Sequence, residues 1–136
     1  MRYLHLTSKV VLPEIGSLRP FKAVVIVEED VTDERRREIS RWLVASGCVY
    51  AMAWGKDCSA WDDSIDWANV DAFESSEIPD DCLVITTWHE KESLIDVFWF
   101  SKHTAMHPCH TLDNVLLLHL ATHEREADIV AQYDGA

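Results

Sequence analysis

The chain has 136 residues, which suits one domain with a core of its own, and its 48% hydrophobic and 26% charged content excludes a disordered or fibrous protein. Twenty-four Asp and Glu against 12 Lys and Arg give a formal net charge of −12. That field repels nucleic acid and anionic membrane surfaces and attracts a cation or a basic protein.

Residues 1–20 show no periodicity that commits them to a helix or a strand. Pro13, Gly16 and Pro20 break the segment into turns, and only Val10–Leu12 offers a short edge strand. Met1 to Thr7 lacks the apolar core of a signal peptide, and no apolar run is long enough to span a bilayer. The four cysteines, Cys48, Cys58, Cys82 and Cys109, form no CxxC pair, which disfavours a zinc ribbon. A cytoplasmic protein with reduced thiols is the expectation.

The β-branched run ending at Val27, over residues 22–27, predicts a strand buried on both faces. Thr32 is a good helix N-cap, with Asp33 and Glu34 in the first turn, where they meet the positive end of the helix dipole. Ile39, Trp42 and Leu43 form the apolar stripe of that helix, which Gly47 ends. Arg35, Arg36, Arg37 and Arg41 mostly occupy the opposite side and read as a solvated, ion-paired face rather than a nucleic-acid site. Residues 48–54 predict a second strand, stopped by Gly55.

Nine carboxylates and no Lys or Arg lie between Asp57 and Asp81. Within that span Trp61, Ile65 and Ala68 repeat at helical spacing, predicting a short helix over 59–69 capped by Ser59. Residues 73–79 read as loop. A third strand is expected over 82–87, ending in the cluster Thr86, Thr87, Trp88, His89 and Glu90. A helix capped by Ser93 follows, with Leu94, Val97, Phe98 and Ser101 on one face, and ends before Pro108. A fourth strand over 115–121 and a last helix over 124–133, burying Ile129, Val130 and Tyr133, complete the chain.

Apolar strands alternating with helices predict an α/β, three-layer sandwich with a mainly parallel four-stranded sheet. The expected strand order is the flavodoxin-like 2-1-3-4, with an extra N-terminal edge strand possible. Ligands of such sheets sit beyond the carboxyl ends of the strands. Those ends carry Glu28, Glu29 and Asp30; Trp54, Asp57 and Cys58; Trp88, His89 and Glu90; and Thr122 and His123.

A metal at this rim would draw on His89, Glu90, His123, Asp57 or Cys58, but no pair has a diagnostic spacing, and a hydrogen-bonded polar rim is the simpler reading. General acid–base chemistry would use His89 with a carboxylate that is not its neighbour, because adjacent strand residues point apart. His103, His107, Cys109 and His110 make a second cluster, and His119, inside an apolar strand, reads as a core histidine. Cys58 lacks the signatures of cysteine enzymes, and four glycines without a GxGxxG disfavour the common nucleotide loops. Trp54, Trp61, Trp67, Trp88 and Trp99 are candidates for pocket walls or partner anchors, core packing being the alternative.

Two stretches, Ala53-Trp54-Gly55-Lys56-Asp57-Cys58-Ser59-Ala60-Trp61-Asp62-Asp63-Ser64-Ile65-Asp66 and Thr86-Thr87-Trp88-His89-Glu90 through Val97-Phe98-Trp99-Phe100, resemble a family of small bacterial proteins of unknown function. The resemblance runs from Phe21 onward and implies a bacterial, cytoplasmic, single-domain protein without assigning any residue a role. The expected function is that of an acidic binding domain engaging a basic protein partner through residues 57–81 and exposed aromatics, with Trp54, Asp57, Trp61, Trp88, His89 and His123 as contact residues. The alternative is a small enzyme, a hydrolase for example, using His89 with Asp57, Glu90 or Cys58. The cofactor stays unassigned, and neither nucleic acid nor membrane is expected as a partner.

Overall fold

The computed structural model describes residues 1–74 and 76–136; Ser75, within the loop expected over 73–79, lies outside them. Among the described residues five strands form one parallel sheet: β1 (Arg2–Leu6), β2 (Phe21–Val27), β3 (Cys48–Gly55), β4 (Ile85–Trp88) and β5 (Asn114–Leu120). Four α-helices among the described residues connect or follow them: α1 (Asp33–Ala45), α2 (Cys58–Asp71), α3 (Leu94–His103) and α4 (Glu126–Gly135). The α/β class, the three layers and the extra N-terminal edge strand are as the sequence predicts.

Each helix lies on the face its apolar stripe dictates. Ile39 and Leu43 of α1 and Trp61 and Ile65 of α2 pack with Ala23, Val25 and Ala51 on one side of the sheet. Leu94, Val97 and Phe98 of α3 and Ile129 and Tyr133 of α4 pack with Val24, Ile26 and Leu117 on the other. Val130 is only half-buried, because the stripe of α4 centres on Ile129 and Tyr133. Among the described residues no helix is long and apolar enough to cross a membrane.

The strand order is β1-β5-β2-β3-β4, which corrects the expected 2-1-3-4 arrangement. The second neighbour of β2 is β5, not β4. The reason is burial. Residues 115–120 of β5 are buried on both faces, as an interior strand requires, whereas β4 is four residues of Ile, Thr, Thr and Trp, none of them fully buried. The N-terminal edge strand is Arg2–Leu6, paired in register with Leu116–Leu120, and Val10–Leu12 is irregular.

Local chemistry explains the other boundaries. Thr32 and Ser93 cap α1 and α3 as expected, accepting from the backbone N–H of Arg35 at 3.1 Å and of Asp96 at 3.2 Å. Helix α2 begins at Cys58, not after a Ser59 cap, because the β3–α2 turn is only Lys56 and Asp57. That turn needs Gly55 at φ 98°, where any Cβ would sit 2.1 Å from the Val27 carbonyl oxygen. β4 starts late because the buried Asn69 amide holds the preceding chain, donating to Cys82 O at 3.1 Å and accepting from Val84 N–H at 3.0 Å.

Candidate functional site

The carboxyl ends of β3 and β4 open on a cleft of about 610 Å³ lined by Trp54, Asp57, Cys58, His89, Glu90 and Glu92, among others. Five of the expected rim residues, Trp54, Asp57, Cys58, His89 and Glu90, thus meet. Gly55 and Asp57 (φ 54°) turn the chain over the sheet edge, and His89 N–H donates to Ala53 O at 2.9 Å, extending the β3–β4 pairing to the rim. Trp54 is fixed by its indole N–H, which donates to Glu92 O at 2.8 Å.

His89 is only 7% exposed and both ring nitrogens are engaged. Nδ1 lies 2.5 Å from Glu92 Oε2 and Nε2 lies 2.8 Å from Thr87 Oγ1. A carboxylate accepts, so Nδ1–H donates to Glu92, and the Thr87 hydroxyl is the hydrogen-bond partner of Nε2. The ring meets Phe100 edge-on at 4.9 Å. Carboxylate, imidazole and hydroxyl stand in the order of a proton relay, but the partners are Glu92 and Thr87, not Asp57 or Glu90. Cys58 is buried beside this cleft. Desolvation raises its thiol pKa and the Glu90 carboxylate adds to the rise, so the sulfur stays protonated and is a poor nucleophile.

A family model described as a domain of unknown function, DUF7684, matches residues 1–136. The chain belongs to that family. Neither the curated proteins nor the solved structures gave a match to it.

In this DUF7684 chain the strand order reverses between β2 and β5, the place where open α/β sheets usually bind ligands. A closed polar network fills it. His119 is fully buried; its Nε2 donates to Glu28 Oε1 at 2.5 Å, and its Nδ1 accepts from Tyr3 Oη at 2.6 Å. Tyr3 Oη accepts in turn from the Arg125 backbone N–H at 3.1 Å, and the Arg125 guanidinium donates to Glu28 Oε1 at 2.6 Å. Burial holds the His119 pKa below its ordinary value against the opposing pull of Glu28. Burial alone would raise the Glu28 carboxyl, but hydrogen bonds from Arg125 and His119 bring it below the usual range. His119 is therefore the satisfied core histidine that its apolar strand predicts, and the network ties β1 to the start of α4.

Three expected site residues fall elsewhere. Trp61 is 1% exposed and belongs to the core, as its place in the Trp61–Ile65–Ala68 stripe requires. His123 is exposed beyond β5, with β2 and β3 lying between β5 and β4, so it does not join His89. Trp88 pairs with Ala53 in register and shares its face, standing 51% exposed beside α2 and outside the cleft lining. In the second histidine cluster, His107 donates to Leu83 O at 2.9 Å and accepts from Cys109 N–H at 3.1 Å, while His110 donates to Asp81 O at 2.7 Å. These are ties that hold residues 81–83, with no free pair of ring nitrogens between His107 and His110 facing a common point.

The acidic helix α2 belongs to the carboxylate-rich span 57–81 that the sequence marks out. Its outward stripe is Asp63, Asp66, Trp67 and Val70, all exposed, with Trp67 at 65%. Asp62, one residue before Asp63, turns inward and is 6% exposed. Desolvation raises its carboxyl pKa, with the Asp66 and Asp63 carboxylates adding to the rise. The signal was the Asp62–Asp66 spacing of one helical turn, which puts two carboxylates side by side.

Proposed function

We propose that this chain is a small bacterial, cytoplasmic interaction domain that docks a basic protein segment on the outward stripe of α2 and the adjoining edge of β4. The observation that carries the reading is the exposure of Trp67 on α2 and Trp88 on β4, with Asp66 bonded to β4 and Asp63 and Asp71 sharing the groove of Trp67 with Arg36, Arg37 and Arg41 of α1. Tryptophans anchor interfaces, and surrounding carboxylates select a basic partner and speed its approach. β4 also leaves one edge of the sheet unpaired, open to an added strand. Four free thiols accord with a reducing compartment. In affinity capture from the native host, wild type should retain a basic protein that Trp67→Ala does not, with retention falling steeply as salt rises and exposed charges are screened within roughly 10 Å at 0.1 M. Retention equal in both proteins, or indifferent to salt, would count against the docking reading.

The Glu92–His89–Thr87 relay favours a second reading, a hydrolase in which His89, on the wall of the cleft of about 610 Å³, activates the Thr87 hydroxyl as nucleophile. An acylating or phosphonylating probe should then label Thr87 in wild type and not in His89→Gln. An unlabelled Thr87 leaves the relay as structure.

A further inference from the structure

Three carboxylates of α2, from Asp62, Asp63 and Asp66, each place an oxygen within 4.8 Å of the others. None of the three is in an ion pair among the described residues. Acidic residues on a helix are ordinarily a solvated face, and Asp63 and Asp66 alone fit that description. Asp62 does not. It is buried, and its Oδ1 is shut off from solvent with no hydrogen-bond partner among the described residues. An unpaired carboxylate oxygen held in the protein against two further carboxylates is costly unless a proton or a cation neutralises the group. Asp66 is also held in place, since Thr86 Oγ1 donates to its Oδ1 at 2.6 Å. The group therefore has one buried carboxylate, one oriented carboxylate and one free to swing in.

We propose that Asp62, Asp63 and Asp66 form a binding site for a hard divalent cation of the Mg²⁺ or Ca²⁺ class. The donors are all oxygen, which suits these ions and disfavours zinc or copper, whose sites draw on imidazole and thiolate. Two of the three carboxylates are exposed, so water completes the coordination shell on the solvent side. Asp62 and Asp66, at i and i+4, lie side by side on the helix, and an Asp63 carboxylate oxygen comes within 4.8 Å of both. The ion would relieve the mutual repulsion of the three carboxylates and supply the partner that Asp62 Oδ1 lacks. This site goes beyond the docking reading and needs no protein partner.

Calorimetric titration of the whole chain with MgCl₂, CaCl₂ and MnCl₂ tests it, with Mn²⁺ broadening of ¹⁵N-labelled amide signals giving the location. The expected result is one saturable site with a dissociation constant on the order of 10⁻⁴–10⁻³ M, weak because two ligands are solvated. Broadening should centre on residues 62–66 and Thr86. Asp62→Asn and the exposed Asp66→Asn should each weaken binding by roughly tenfold or more, whereas Asp71→Asn should leave it unchanged. The melting temperature of wild type should rise with the ion and that of Asp66→Asn should not. Heats that never saturate across the millimolar range, broadening centred on another part of the chain, or an affinity unchanged in both Asp62→Asn and Asp66→Asn would each overturn the proposal.

Discussion

Replacing Trp61 by alanine should cost about 3–5 kcal/mol of stability, whereas the same change at Trp67 should stay within about 0.5 kcal/mol. The two residues lie on one helix, six positions apart, and differ in which face they occupy. Trp61 is 1% exposed and packs with Ile39, Leu43 and Ile65, so truncation removes its buried area and leaves a void that the surrounding helices fill only in part. Trp67 is 65% exposed, so its loss removes little buried surface. Urea unfolding read by the far-ultraviolet signal decides between them: a large fall in midpoint for Trp61→Ala and almost none for Trp67→Ala. The reverse order would mean that α2 is rotated about its axis, which would move Asp63, Asp66 and Trp67 off the surface and remove the docking flank with them.

The second large effect concerns His119. His119→Leu preserves apolar volume but deprives the Tyr3 hydroxyl and Glu28 of their shared partner, which should cost about 1–3 kcal/mol at neutral pH. It should also change how stability responds to acid. In the fold His119 is held neutral by burial, below its ordinary pKa. The unfolded chain takes up a proton near pH 6.5 and the native chain does not, so the stability contributed by neutral His119 is complete above about pH 6.5 and declines as the pH falls toward the lower native value. Glu28 acts in a separate window. Its native pKa is also lowered, so its contribution is complete above the ordinary carboxylate value of 4.5 and is lost only below it. Melting temperatures of wild type and His119→Leu between pH 8 and pH 4 should therefore converge as the pH drops below about 6.5. Parallel curves through that range would show that His119 titrates alike in the folded and unfolded chains.

The elements that were legible in the sequence are those whose apolar residues keep one period. The β-branched run of β2, the Ile39–Leu43 stripe of α1 and the Leu94–Val97–Phe98 face of α3 fold as their spacing predicts. Strand order was not read, although the information was present: the apolar run of β5 belongs inside a sheet, and Thr86 and Thr87 belong at its edge. β1 was hidden because Tyr3 and His5 interrupt its apolar residues, and both are polar for a reason only the fold reveals. Tyr3 bonds His119, and His5 Nε2 donates to Ala121 O at 2.7 Å, both contacts spanning 116 residues.

The candidate site divides in the same way. Trp54, Asp57, Cys58, His89 and Glu90 meet because β3 and β4 are parallel neighbours: alternation of strands and helices makes the parallel direction predictable, whereas the expected order 2-1-3-4 does not contain this adjacency. The partners of His89 were missed because Thr87 lies two residues back on the same strand face, and Glu92 reaches the ring only after the turn at Lys91 (φ 63°) reverses the chain. Asp62 was grouped with its exposed neighbours, since composition counts carboxylates without saying which one points inward.

The measurement that bears most directly on the docking surface is photocross-linking from two positions of the otherwise unaltered chain. A photoreactive phenylalanine analogue at position 70 lies on the outward stripe of α2, beside Trp67; one at position 11 lies in the exposed segment before β2. Position 70 should capture a Lys- and Arg-rich segment of a partner, with the yield falling at high salt and in the Trp67→Ala background, and position 11 should capture none of it. Equal capture from both positions, or capture from position 11 alone, would contradict a docking surface on α2 and β4.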